Sequence, residues 1–232
     1  MQTFPREAFS RARPVTRGRK AQRILVLGPD QAVAPPRPRA EPGGWLEAAL
    51  AAESRVMTPE GPRAAGLLAP GDRVLTLDAG ARPVRWIGRH AVSAAQIAER
   101  PEIGPLSVVP HAFGGGAPRR PLRLSPRAGI CLALPGAPAS GALAPAEACL
   151  AVGLAGLSRA PAAGVTYVQL LLDAHALIAA EGLLVESLHP ARLRPSHADR
   201  GVWSAVLGLM PELEHDRTLY GPPVRPRAAA VG

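Results

Sequence analysis

The chain has 232 residues, of which 47% are hydrophobic, 27 are Pro and 24 are Gly. This length suits one ordinary domain with a sizeable core, and the Pro and Gly content argues against long uninterrupted helices and favours short strands joined by turns. The formal charge of +9 is uneven, because residues 1–44 hold nine basic and three acidic side chains and contribute +6 of it.

Residues 1–44 are rich in Arg, Pro and Ala, and they predict a disordered basic leader and linker. Their charge raises the hypothesis of binding to an anionic surface, although no aromatic interleaving and no nucleic-acid module accompany it. The apolar run from Ile24 to Leu27 is too short for a signal peptide. We therefore expect a cytoplasmic protein, with non-classical export left open.

Two further features argue against common protein classes. Residues 128–157 carry a single formal charge, but their Pro and Gly residues would break a transmembrane helix, so a buried, turn-rich part of the core is favoured. Cys131 and Cys149 form no CxxC motif, which argues against a zinc site or a disulfide scaffold. Both cysteines are interpreted as small buried hydrophobic residues.

Residues 45–220 predict the folded domain, built mainly from strands. The segments "RVLTLD" (73–78) and "RPVRWIGRHAV" (82–92) flank the Gly-containing turn "DAGA" and predict a β-hairpin. Further strands are predicted in "PLSVV", "PLRLS" and "ICLAL", and a second long hairpin-like region spans "GVTYVQLLLD" and "HALIAAEGLLVES". An all-β domain is expected.

The segment "GVWSAVLGLMPEL" predicts one C-terminal helix that covers the core. The apolar residues at helical spacing are Val202, Ala205, Val206, Leu209 and Met210. Beyond Tyr220, residues 221–232 predict a disordered tail.

Four segments, taken in order and spacing, resemble the Hint (hedgehog/intein) family, most closely its bacterial stand-alone members. They are "VMTPEGPRAAGLLAPGDRVLTLD", "PVRWIGR", "PRRPLRLSP" and "GVTYVQLLLDAHALIAAEGLLVES". The resemblance covers about residues 45–190. It implies the Hint fold of short strands and hairpins, and self-cleavage of a peptide bond as the family's activity. It implies no cofactor.

The resemblance implies a Cys, Ser or Thr nucleophile that attacks the preceding carbonyl. In the family's C-F-x-x-G-T-x-I-x-T-P pattern, counted back from Thr58-Pro59, this position falls on Ala49. A methyl group cannot attack a carbonyl. Ser54 is a hydroxyl five residues later and a candidate replacement nucleophile, but it is better interpreted as the replacement of the family's strand Thr.

The resemblance also implies a Thr-x-x-His element whose imidazole protonates the departing nitrogen. The matching stretch runs from Ser125 to Ala128, so the hydroxyl is kept and the histidine is lost. His175 matches a histidine of the family's penultimate strand motif, with a structural role favoured over a catalytic one. Glu186-Ser187 stands where inteins have His-Asn, which argues against splicing.

Two functions remain open at this point. The first is a degenerate Hint domain that acts as a non-catalytic binding or structural module, with an unidentified protein or peptide partner. The second is an active self-cleaving domain that releases its leader. Outside these segments, His189, His197 and His215 lack metal-ligand spacing and are interpreted as surface residues.

Overall fold

The computed structural model describes residues 44–113, 116–133, 141–193 and 200–228. Within these ranges the chain forms thirteen strands and three α-helices, and all strand pairs between named strands are antiparallel, which confirms the predicted all-β class. No helix in the same ranges is long and apolar enough to span a membrane. The predicted leader, except Gly44, and residues 229–232 of the predicted tail lie outside the described residues.

The strands are β1 (Leu50–Ala51), β2 (Arg55–Thr58), β3 (Gly61–Ala64), β4 (Arg73–Thr76), β5 (Gly80–Val92), β6 (Leu106–Val108), β7 (Leu122–Leu124), β8 (Gly129–Leu132), β9 (Ala142–Pro145), β10 (Leu157–Arg159), β11 (Val165–Leu172), β12 (Leu177–Ala180) and β13 (Leu183–Glu186). The α-helices are α1 (Ala94–Glu99), α2 (Ala146–Ala151) and α3 (Arg200–Leu209). Bonded neighbours follow the order β10-β6-β7-β1-β11-β5-β4-β12-β13-β8-β9, and β2 pairs with β12 and β3.

Both predicted hairpin regions contain a hairpin, although the second is shorter than predicted. The first joins β4 to β5, and Thr76 closes its turn by donating to the Gly80 carbonyl at 2.8 Å. The second joins β12 to β13 through Glu181 and Gly182, whose φ angles of 50° and 90° fit a two-residue turn of type I′. Strand β11 pairs instead with β5 and β1, so it lies outside this hairpin.

Strand β11 lies between packed layers, and all of its residues except Thr166 are buried. Its alternate side chains point to opposite faces of the sheet, as the pleat requires. Val168, Leu170 and Leu172 join the largest hydrophobic cluster, whereas Tyr167 and Leu171 join two smaller clusters on the other side. Burial on both faces explains the nearly continuous apolar run in the sequence.

Helix α3 covers the core as predicted, and Val202, Val206 and Met210 of the predicted stripe pack there. Val206 is fully buried against Leu171 and Leu188, and Trp203 packs on the same cluster. Leu209, predicted to face the core, is 43% exposed. The helical spacing therefore indicated the element and most of its buried face, but it placed Leu209 wrongly.

Residues 221–228 correct the prediction of a disordered tail. The Leu143 N–H donates to the Pro226 carbonyl at 2.8 Å, and the Ala228 N–H donates to the Leu143 carbonyl at 2.8 Å. These bonds form a parallel bridge between Leu143 and Arg227 at the edge of the sheet, beside β9. The Pro-rich composition of this segment is typical of disorder. Pro is nevertheless compatible with the edge of a sheet, where few N–H donors are used.

Candidate functional site

Ala49 and Ala128, the residues predicted to stand at the family's nucleophile and histidine positions, belong to neighbouring segments. The Ser125 N–H donates to the Ala49 carbonyl at 2.9 Å, and the Ala128 N–H donates to the Ser125 carbonyl at 3.1 Å. Ala49 is 0% exposed and Ala128 is 1% exposed. The backbone of the "SPRA" turn is thus bonded to the segment that leads into β1, as a site built from these two stretches requires.

The Ser125 hydroxyl is fully buried and already has a partner. Its Oγ donates to the Leu46 carbonyl at 2.5 Å, three residues before Ala49. The hydroxyl therefore ties the turn to the incoming chain. With its proton engaged in this bond, it stabilises the local backbone.

Backbone strain is present next to Ala49. Ala48 has a φ of 52°, a left-handed conformation that costs a residue with a side chain about 1–2 kcal/mol. The Ala48 side chain is buried with Leu171 and Leu188, and this packing holds the conformation. The peptide bond between Ala48 and Ala49 is the one that the family pattern would break.

His175 is buried and has a defined tautomer. Its Nδ1 accepts the Val224 N–H at 3.0 Å, so the ring proton is on Nε2. The Nε2 atom lies 3.4 Å from Oε2 of Glu186 and has no hydrogen-bond partner of good geometry. Glu186 in turn packs so closely on Gly129 that any side chain at 129 would collide with its carboxylate. His175 thus reaches the neighbourhood of Ala128 through Glu186.

Four charged side chains meet beside the two alanines, and of these only Glu186 was singled out from the sequence. Arg127 pairs with Oε1 of Glu47 at 2.6 Å, and Arg227 lies 3.8 Å from Oε2 of the same carboxylate. Arg227 also pairs with Glu186. The side chains of Glu47 and Glu186 are 6% and 2% exposed, so their burial depends on these partners. Their separation along the chain left no local pattern in the sequence that could have revealed them.

The remaining candidate nucleophiles are engaged or weakened by burial. Ser54 lies between β1 and β2, is 2% exposed, and donates its hydroxyl to the Arg123 carbonyl at 3.0 Å. Burial raises the pKa of Cys149 to about 11 and also raises the pKa of the half-buried Cys131. Cys149 fits the sequence interpretation of a small buried residue, whereas Cys131 is only partly buried.

One predicted surface histidine is internal. His189 is 4% exposed, its Nε2 donates to the Gly221 carbonyl at 3.1 Å, and its Nδ1 accepts the Ala191 N–H at 3.2 Å. Burial lowers the pKa of His189, and the nearby His175 ring lowers it further. The polar sequence around His189 gave no sign of this packing. His215 is exposed as predicted, and His197 lies outside the described residues.

The described residues give no support for a metal centre. Across the four described ranges, no three His, Cys, Asp or Glu side chains are close enough together to hold a metal ion. His175 and Glu186 form a pair that also contacts Arg227 and the backbone of Val224, and the His175 ring lies edge-on to His189 with 4.9 Å between the ring centroids.

Residues 48–192 match the sequence model of the Hint domain. The match covers 145 of 232 residues, more than half of the chain, and the protein belongs to the Hint-domain family. The predicted family is thereby confirmed. No curated protein matches the chain significantly.

Solved structures similar to this chain include inteins and an intein-like domain. The MchDnaB-1 intein is 15% identical with a TM-score of 0.42, covering 60% of this chain and 100% of the intein. The gp41-1 intein is 12% identical with a TM-score of 0.37, covering 59% and 95%. A bacterial intein-like domain from Clostridium thermocellum is 12% identical with a TM-score of 0.38, covering 60% and 98%.

Proposed function

We propose that this Hint domain does not cleave itself and acts as a non-catalytic binding or structural module. One observation carries the proposal: Ala49 and Ala128, in segments bonded to each other through Ser125, are both buried methyl groups. The family reaction needs a nucleophile to attack the carbonyl of residue 48 and an imidazole to protonate the departing nitrogen. Neither group is supplied by these two positions.

The surroundings of the alanines support the same proposal. The Ser125 hydroxyl donates to Leu46, and the Ser54 hydroxyl donates to Arg123, so both protons are engaged with backbone carbonyls. The charged groups nearby are paired with one another. Such an arrangement stabilises a buried polar network, in which neither hydroxyl is paired with a group that would activate it.

Intact-mass measurement of the full chain tests the proposal. Incubation for a day at neutral pH, with and without dithiothreitol or hydroxylamine, should leave one species of unchanged mass. A defined fragment ending at residue 48 would contradict the proposal. Ser54→Ala and His175→Ala, made separately, then test the alternative of active self-cleavage, because processing that uses these residues must slow when they are removed.

Restoring the two missing groups provides the positive control. In an Ala49→Cys/Ala128→His variant, Sγ attacks the Ala48 carbonyl carbon, the peptide C–N bond breaks, and the imidazole supplies the proton to the new amine. Thiol exchange then releases residues 1–48. We expect this fragment from the double variant and little from Ala49→Cys alone. If the double variant folds but stays uncleaved, the lack of a nucleophile and an imidazole does not explain why the natural chain stays intact.

A further inference from the structure

Residues 221–228 contact both histidines of the site region. The Gly221 carbonyl accepts from His189 at 3.1 Å, and the Val224 N–H donates to His175 at 3.0 Å. Further along, the bridge to Leu143 fixes the backbone on either side of Arg227. We call residues 221–228 the C-terminal strap. Its backbone bonds direct one particular side chain, that of Arg227, toward the interior.

The Arg227 guanidinium enters a space between two buried carboxylates. Its NH2 group pairs with Oε1 of Glu186 and lies 3.8 Å from Oε2 of Glu47. Glu47 belongs to the chain that leads into β1, whereas Glu186 ends β13, so the two acids face the guanidinium from different elements. A planar guanidinium with several N–H donors suits two carboxylates at once better than a single ammonium does.

The unpaired Nε2 of His175 is a second, independent feature of the same site. Its side chain is 1% exposed, and Nε2 has no hydrogen-bond partner although it lies 3.4 Å from Oε2 of Glu186. Glu186 thus offers one oxygen to Arg227 and turns the other toward a buried N–H.

We propose that Glu47 and Glu186 form a guanidinium-binding site whose ligand is an arginine side chain on an extended peptide segment. The C-terminal strap is its resident ligand, held by Arg227 and by backbone pairing beside β9. The inference deepens the proposed function and rests on it, because it names what the region beside the two alanines binds. The Arg227 side chain is 23% exposed, so the space it fills opens to solvent.

The test removes the guanidinium group of Arg227 by substitution and then supplies a guanidinium as a small molecule. In full-length Arg227→Ala, the two acids lose their shared partner, and we expect the Tm to fall by about 5–10 °C. Arg63→Ala is the control, since Arg63 forms a surface pair with Asp72 in which the side chains are 48% and 29% exposed, and its Tm should fall by less than about 2 °C. Equal shifts in the two variants would overturn the proposal.

Ethylguanidinium reproduces the part of Arg227 that alanine lacks. At ten times its dissociation constant it should raise the Tm of Arg227→Ala by about 3–6 °C. Ethylammonium should not raise the Tm of Arg227→Ala. Ethylguanidinium should not raise the Tm of the wild-type protein or of an Arg227→Ala/Glu186→Gln variant. Rescue by ethylammonium to the same extent, or no rescue by ethylguanidinium, contradicts a guanidinium site.

A conservative variant covers the case in which Arg227→Ala does not fold. Arg227→Lys keeps the charge but not the planar donors, and it should lower the Tm while Arg63→Lys does not. A wild-type Tm for Arg227→Lys would overturn the proposal. Mass spectra of the same samples report cleavage separately. A fragment ending at residue 48 would contradict the proposed function alone, whereas failed rescue in an intact chain would contradict the guanidinium site alone.

Discussion

At the scale of single residues, the site region is organised by small side chains that leave room for large charged ones. Gly129 follows Ala128 directly, and the Glu186 carboxylate lies where a side chain on residue 129 would be. Ala128 itself leaves no polar group at the position of the family's imidazole. The charged pairs therefore depend on residues that carry almost no side chain.

Gly129→Ala tests this dependence. The added methyl group displaces the Glu186 carboxylate from Arg227 and leaves buried charges poorly paired, so we expect a loss of about 2–3 kcal/mol in the free energy of unfolding. Urea denaturation measures the loss. An unchanged unfolding midpoint would mean that the carboxylate relocates without cost.

Ser125→Ala separates a structural hydroxyl from a catalytic one. The Leu46 carbonyl loses its buried donor, so the free energy of unfolding should fall by about 1–2 kcal/mol. Denaturation measures the fall, and intact mass should show no change in processing. Val206→Ala, distant along the chain, is a destabilised control without a lost hydrogen bond.

At the scale of elements, the first hairpin was fully readable from the sequence, whereas the second hairpin and the buried face of α3 were readable only in part. The turn "DAGA" joins β4 to β5 as its Gly predicts, whereas Glu181, at a φ of 50°, is not a residue type that turn chemistry singles out. In α3, spacing identified the helix, but Leu209 faces solvent because the partner surface decides which stripe is covered.

The same substitution in two elements should have opposite effects. Gly208→Ala in α3 meets open space and should stabilise the protein by about 0.5 kcal/mol through higher helix propensity. Gly182→Ala, at a φ of 90°, should destabilise it by about 1–2 kcal/mol. Thermal denaturation of both variants measures the signs, and two shifts of the same sign would contradict the backbone argument.

At the scale of the whole molecule, His189 links folding stability to pH. Burial lowers its pKa below 6.5 in the folded state, so the unfolded chain binds its proton more readily. This contribution to stability is complete above about pH 6.5 and is lost as the pH falls below it. The Tm should therefore drop between pH 7.5 and pH 5 more steeply in the wild type than in His189→Gln. His215→Gln, which changes an exposed side chain, should leave the slope as it is.

The basic residues 1–44 give a second prediction at this scale, drawn from charge alone. Their net +6 should draw the protein to vesicles that contain anionic lipid, with binding that falls steeply as salt is raised. Cosedimentation measures it, and deleting residues 1–44 should abolish it. Binding that persists at high salt or survives the deletion would contradict this hypothesis. The cytoplasmic location likewise stays a prediction of the sequence.

The sequence by itself determined the Hint family, the all-β class, the hairpins and the identity of residues 49 and 128, because motif order, apolar alternation and turn residues are local properties of the chain. Only the tertiary structure brought Glu47, Glu186 and Arg227 together and buried His189 beside the strap. These contacts join residues far apart along the chain, and their strength comes from burial, which no local pattern encodes.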